Sequence, residues 1–137
     1  KLVTLASIIE KETSDPAERG LISAVFHNRL KKGIKLQSDP TVIYGVKDFD
    51  GNIRKKHLTA KSPYNTYVIH GLPPGPIASP GRASLKAALN PDKSDALYFV
   101  SMNDGTHYFS EKLGDHNRAV NRYQRRMKTP TQAVNKG

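Results

Sequence analysis

The chain reads as a single α+β domain, and three observations predict that class. Apolar residues recur at helical spacing through the first thirty positions, Ser/Asp-Pro steps mark helix starts, and an Asn-Asp-Gly turn late in the chain separates two short apolar-aromatic runs. A length of 137 residues suits one domain spanning 1–137, long enough to bury about two thirds of its unfolded surface. Because it opens at Lys1 directly into a helical pattern, we read it as a piece of a longer protein.

The first helix gathers Leu2, Leu5, Ala6, Ile8 and Ile9 on one face, and Glu12 falls three to four residues beyond Ile8 and Ile9 on that same face. Glu10 lies about 200° around the axis from Glu12, so Glu10 and Lys11 are expected to point to water. Periodicity alone leaves a second placement open for Glu12, in which a frayed last turn swings it into solvent. Ser14-Asp15-Pro16-Ala17-Glu18 carries an N-cap candidate, proline at the first helical position and a carboxylate at the capping-box position. A second helix is expected there, running through Leu21, Ile22, Val25, Phe26 and Leu30 to a C-terminal Lys31-Lys32-Gly33. Ser38-Asp39-Pro40 repeats the start signal before a short helix over Thr41-Val42-Ile43-Tyr44.

Residues 46–63 are polar and weakly patterned, which predicts a surface excursion. From Tyr64 to Pro80 the prolines and glycines of Gly71-Leu72-Pro73-Pro74-Gly75-Pro76 predict a stiff, shaped loop. Ser79-Pro80 opens a further helix through Leu85, Ala88 and Leu89, ended by Asn90-Pro91. The runs 96–100 and 106–109 around Asn103-Asp104-Gly105 predict a β-hairpin, and a last helix starts near Asp115 and frays from Thr129.

Composition narrows the chemistry. With no cysteine there is no disulfide and no thiolate site, and no run reaches the roughly 20 apolar residues of a membrane span. The formal charge of +10 favours polyanionic partners without choosing among nucleic acid, anionic lipid and cell-wall polymer. The densest basic group, Arg118, Arg122, Arg125, Arg126 and Lys128, suits a solvated helix face as well as a binding patch. His27, His57, His70, His107 and His116 show no metal-ligand spacing, so structural or solvent-exposed roles and no metal are expected. No nucleophile elbow and no phosphate-cradling loop is present.

What remains is Glu12-Thr13 at a helix end, Gln37-Ser38-Asp39 before a short helix, and Tyr64-Asn65 ahead of the proline loop. A carboxyl held near apolar neighbours keeps its proton to higher pH, and with hydroxyl and amide groups around it can protonate a glycosidic oxygen and grip sugar hydroxyls. Each element alone has a bland alternative: Asp39 as an N-cap, Tyr64 as core, Asn65 as a turn former.

Taken in order, Leu5-Ala6-Ser7-Ile8-Ile9-Glu10-Lys11-Glu12-Thr13, Val25-Phe26-His27-Asn28-Arg29-Leu30, Leu36-Gln37-Ser38-Asp39-Pro40-Thr41-Val42-Ile43-Tyr44-Gly45, Tyr64-Asn65-Thr66-Tyr67 and Gly71-Leu72-Pro73-Pro74-Gly75-Pro76-Ile77 resemble the endolytic murein transglycosylases (MltG, YceG-like). The resemblance runs from Leu2 to about Tyr123. It implies a lysozyme-like catalytic helix, a catalytic domain facing the periplasm, and an inner-membrane anchor and LysM-like region on an N-terminal part absent from this chain. It also implies cleavage of the MurNAc–GlcNAc bond within nascent peptidoglycan strands to give 1,6-anhydro ends, without a cofactor. In lytic transglycosylases a small hydroxyl residue follows the catalytic glutamate, which matches Glu12-Thr13 and not Glu10-Lys11. Gln37, Ser38, Asp39, Tyr64, Asn65, Pro73, Pro74 and Gly75 are the expected substrate contacts. Peptidoglycan strands are the expected partner, with peptidoglycan synthases beside them and no nucleic acid. The alternatives are a muramidase-type hydrolase using Asp39 as second carboxylate, a non-catalytic cell-wall glycan-binding module, and a basic nucleic-acid binder.

Overall fold

A computed structural model describes residues 1–123 of the chain; Arg125, Arg126, Lys128 and the expected fraying from Thr129 lie outside the described residues. Helix α1 spans Leu2–Glu12, and Leu5, Ala6, Ile8 and Ile9 form the centre of the core. Leu2, expected on the same face, is exposed because the stripe outruns what packs against its first turn. Ser7 interrupts the stripe yet is fully buried: its hydroxyl donates to the Thr4 carbonyl at 2.6 Å and accepts the Ile77 amide at 3.0 Å. One serine thereby fastens the proline loop to α1.

The second helix departs from its expected start. Asp15 does cap, accepting the Ala17 amide at 2.9 Å, but Pro16–Glu18 is a 3₁₀ turn and helix α2 runs Arg19–Lys32. Glu18 is no capping-box partner: it is buried and binds His107 twice, accepting the backbone amide through Oε2 at 2.7 Å and facing Nδ1 through Oε1 at 2.7 Å. Gly33 ends α2 in the left-handed conformation, φ 71°, as its position predicts.

Three consecutive α2 residues then hold the chain's second half. His27 Nε2 lies 2.8 Å from the Ala88 carbonyl, Asn28 Nδ2 donates to the carbonyls of Ser94 and Ala96, and Arg29 Nε donates to that of Leu97 at 2.7 Å. The chain therefore leaves helix α5 (Arg82–Leu89) and enters strand β1 (Tyr98–Ser101) pinned along α2. Phe26 meets Phe99 of β1 edge-on at 5.9 Å, which carries the core from helix to hairpin.

Helix α3 covers Asp39–Tyr44, and one turn, α4 (Lys55–Leu58), interrupts the expected excursion. Helix α4 buries nothing and so leaves no apolar period to read. Strand β1 pairs antiparallel with β2 (His107–Ser110), Phe99 opposite Phe109, with Asn103 and Gly105 at positive φ in the connection. Helix α6 (Leu113–Tyr123) seats Ala119 and Val120 on Val100. Among the described residues the architecture is thus six helices and one two-stranded sheet, an α+β fold.

Helix α5 ends at Leu89 with Asn90 as its cap, as expected, and differs in two other respects. Leu89 is exposed rather than core. Helix α5 begins at Arg82 rather than at Ser79-Pro80, because its cap comes from another helix: Glu10 Oε1 accepts the Gly81 amide at 3.0 Å and the Ser84 hydroxyl at 2.8 Å. Glu10 is accordingly not the free solvent-facing carboxylate expected of it.

Candidate active site

Glu12 ends α1 half-buried, on the face its helical phase predicts, and lines a cavity of about 60 Å³. Thr13 leaves the helix in extended conformation, φ −148°, and its buried hydroxyl accepts the Asp15 amide at 3.0 Å, so it serves the turn. The hydroxyl that reaches Glu12 is that of Ser38, which donates to Oε2 at 2.6 Å. Ser38 makes no side-chain cap to α3, contrary to the cap-and-proline reading.

Proton counting shows why Ser38 is fixed. The Thr41 hydroxyl donates to the Ser38 carbonyl at 2.6 Å, so the 2.8 Å contact between the Thr41 and Thr66 hydroxyls must use the Thr66 proton. Thr66 Oγ1 in turn accepts the Ser38 amide at 2.8 Å. All three residues are buried, and the closed set leaves the Ser38 hydroxyl aimed at Glu12. Since Ser38 occupies Oε2, Oε1 is the oxygen left to carry and deliver a proton.

Burial pushes the Glu12 carboxyl up to about 8, overcoming the Ser38 hydrogen bond that favours the charged form; the neighbouring Asp39 charge adds to the rise and Arg29 opposes it. Asp39 is itself no helix cap. Its Oδ1 accepts the Tyr67 hydroxyl at 2.6 Å, and burial raises its carboxyl to about 6 against that bond. Burial and the Asp39 charge hold the Tyr67 hydroxyl well above the usual phenol range, so it stays a donor. Near neutral pH the cavity therefore holds one protonated and one ionised carboxyl, the division of labour that acid–base chemistry needs.

Gln37 also lines the cavity, with its backbone in the left-handed region at φ 52°. Its amide donates to the Thr66 carbonyl at 3.2 Å and its Oε1 accepts from Arg29 Nη1 at 3.3 Å, which is what holds so uncommon a conformation. The remaining expected contacts are not among the cavity's lining residues. Tyr64 packs on the core and against Tyr44 at 4.8 Å. Asn65 is buried, its amide nitrogen shared among the carbonyls of His57, Leu58 and Ala60, which closes the end of α4. Pro73 is buried, Pro74 exposed and Gly75 half-buried beside the Tyr64 hydroxyl.

Five lining residues are not among those the sequence singles out: Arg29, Leu36, Tyr67, Phe99 and His116. For Arg29 the signal was present, since it follows Val25 and Phe26 at helical spacing as Glu12 follows Ile8 and Ile9. His116 likewise shares a face with Ala119 and Val120. Tyr67 lies outside any helix or strand and carried no such signal.

A half-buried acid, a half-buried carboxylate and fixed hydroxyl and amide groups in one cleft of an α+β domain define an acid–base site, and the relatives of the chain are of one kind. The profile of the YceG-like family matches residues 1–122, and the chain belongs to that family. It is 48% identical over 123 residues to an endolytic murein transglycosylase of Bacillus subtilis (strain 168), covering 90% of this chain and 34% of that protein. An endolytic murein transglycosylase of Streptococcus pneumoniae serotype 2 (strain D39 / NCTC 7466) is 38% identical over 126 residues, covering 88% of this chain and 23% of its own length. A crystal structure of a YceG-like protein from Listeria monocytogenes superposes with a TM-score of 0.81 at 47% identity, over 85% of this chain and 38% of that one. The chain thus spans about a third or less of the length of these curated relatives.

Proposed function

We propose that this domain is the catalytic part of a peptidoglycan lytic transglycosylase that cuts the MurNAc–GlcNAc bond within glycan strands. The observation that carries the reading is the Glu12 carboxyl, held protonated near neutral pH by burial with Ser38 fixing one oxygen. Family membership and the names of the relatives support the substrate. Glu12 donates its proton to the glycosidic oxygen as the bond to C1 of MurNAc breaks. The MurNAc 6-hydroxyl oxygen then bonds to C1 and its proton returns to Glu12, closing a 1,6-anhydro ring and restoring the acid. One carboxyl suffices because the nucleophile belongs to the substrate. Ser38 orients Glu12, and Gln37 and Asp39 meet sugar hydroxyls.

The cellular setting belongs to the same proposal: a periplasm-facing domain tethered to the inner membrane by another part of the protein, working beside peptidoglycan synthases. One observation favours a second reading. Asp39 is a half-buried, ionisable carboxyl of the same cavity rather than a cap, so it has the placement of a base for water. Digestion of purified glycan strands in ¹⁸O-labelled water separates the two by mass spectrometry. Transglycosylation gives unlabelled 1,6-anhydro termini; labelled reducing ends that vanish in Asp39→Asn establish hydrolysis instead.

A further inference from the structure

Beside its carboxyls, the wall of the Glu12 cavity contains two buried polar side chains with unused hydrogen-bonding capacity. Arg29 is 5% exposed, and its four hydrogen bonds all leave from Nε and Nη1, to the carbonyls of Leu97, Lys35 and Leu36 and to Gln37 Oε1. That anchoring fixes the guanidinium plane and leaves Nη2 without a protein partner, in a side chain that lines the cavity. His116 is 2% exposed, and its Nδ1 is buried with no partner. Both side chains lie against the Tyr98 ring, Arg29 with its guanidinium carbon 5.1 Å from the centroid and His116 stacked at 5.0 Å. Neither side chain spends all its hydrogen-bonding capacity within the protein, and both line the cavity, where a ligand oxygen can take up what remains.

The size of the space decides which part of a ligand enters. About 60 Å³ admits a carboxyl-sized arm, far short of the several hundred Å³ of a site that encloses a whole ligand. A fixed guanidinium edge beside an imidazole selects planar oxygen acceptors. Both saccharides of the proposed substrate carry an acetamido arm, and the muramyl residue alone carries a second carboxyl-derived arm, its 3-O-lactyl group. We propose that Arg29 and His116 form a subsite for the lactyl carbonyl oxygens, so that the cavity distinguishes a muramyl from a glucosaminyl residue and sets which glycosidic bond meets Glu12. This inference rests on the proposed glycan-cleaving function and deepens it.

The test compares peptide-free glycan strands with their lactyl carboxyl intact, the same strands with that carboxyl reduced to an alcohol, and strands de-N-acetylated but otherwise intact. Reduction is expected to lower kcat/KM of the unaltered protein about ten- to hundredfold. In Arg29→Lys and His116→Phe that penalty should shrink to about twofold or less. The ratio between substrates cancels any general loss of folded protein, and the two variants perturb the wall independently. A wild-type protein indifferent to reduction, or a penalty that persists in both variants, overturns the subsite. A penalty on de-N-acetylation alone, erased by the same variants, reassigns it to the acetamido carbonyl. Failure to release anhydro ends from the intact strands would instead overturn the catalytic reading and the subsite with it.

Discussion

At the scale of single residues, the chemistry depends on what surrounds two glutamates that are neighbours in sequence. Glu12 sits against the core with Ser38 on one oxygen, whereas Glu10 spends its oxygen on Gly81 and Ser84. Glu12→Gln is expected to lower turnover by about 10²–10⁴, the usual contribution of a general acid, while glycan binding measured by strand co-sedimentation stays within about threefold. Glu10→Gln should leave kcat near wild type. The pH profile adds a second check. Activity needs Glu12 protonated, so kcat/KM should fall as pH rises through about 8. Asp39 raises that value, so Asp39→Asn should move the alkaline limb toward lower pH; an unmoved limb would show that the two carboxyls do not sense each other. Glu12 was legible because a helix converts spacing into direction. Asp39 was not, because Ser-Asp-Pro spells a helix start whatever the carboxyl does, and its partner Tyr67 arrives from 28 residues away.

At the scale of elements, α5 takes its start from α1 rather than from its own sequence. The carboxylate oxygen of Glu10 accepts both Gly81 N–H and Ser84 O–H, and those bonds hold its pKa below the usual carboxylate value. An amide in its place keeps a weaker acceptor, and alanine keeps none. Glu10→Ala should therefore cost about 1 kcal/mol, the usual worth of an N-cap, and Glu10→Gln less, read as shifts in the urea midpoint at constant m. A loss confined to catalysis, with no change in midpoint, would remove the capping role. This also marks the boundary of what local sequence can show. Helices α1, α2 and α3 and the hairpin carry their own periods, prolines and turn residues, and they form close to where those signals place them. The start of α5 depends on a group distant in sequence, the Glu10 carboxylate, and no window of neighbouring residues contains that information; α4, closed by the nearby Asn65 amide, buries nothing and so shows no apolar period. The His27-Asn28-Arg29 triplet is the same lesson in reverse: three polar residues on α2 with unremarkable local preferences fix the path of residues 88–97.

At the scale of the whole molecule, a site that keeps a carboxyl protonated near neutral pH is a burden on folding, and its size depends on pH. In the unfolded chain Glu12 releases its proton near 4.5, whereas in the folded protein it does so at about 8. Below the lower value both states are protonated and the residue contributes nothing to pH dependence. Between the two the folded state binds a proton that the unfolded state has released, so stability falls as pH rises, by at most about 1.4 kcal/mol per unit for one group. Above about 8 the loss is complete and constant. Asp39, raised to about 6 from 3.8, adds its own decline at the acidic end of this window. Glu10, lowered, acts with the opposite sign: its stabilisation is present above the ordinary carboxylate range and lost as pH falls through its depressed value. The expected result is a maximum in Tm on the acid side of neutrality with a decline toward pH 8–9. Glu12→Gln cannot ionise and so should remove most of that decline, leaving the variant more stable than wild type at about pH 8 by at least about 1 kcal/mol, with the gap closing toward about pH 5. Parallel thermal denaturation curves across this range check it directly. Two curves of equal slope would mean that the Glu12 carboxyl is solvated in the folded protein, and the general acid would then have to be sought elsewhere in the cavity, beginning with Asp39.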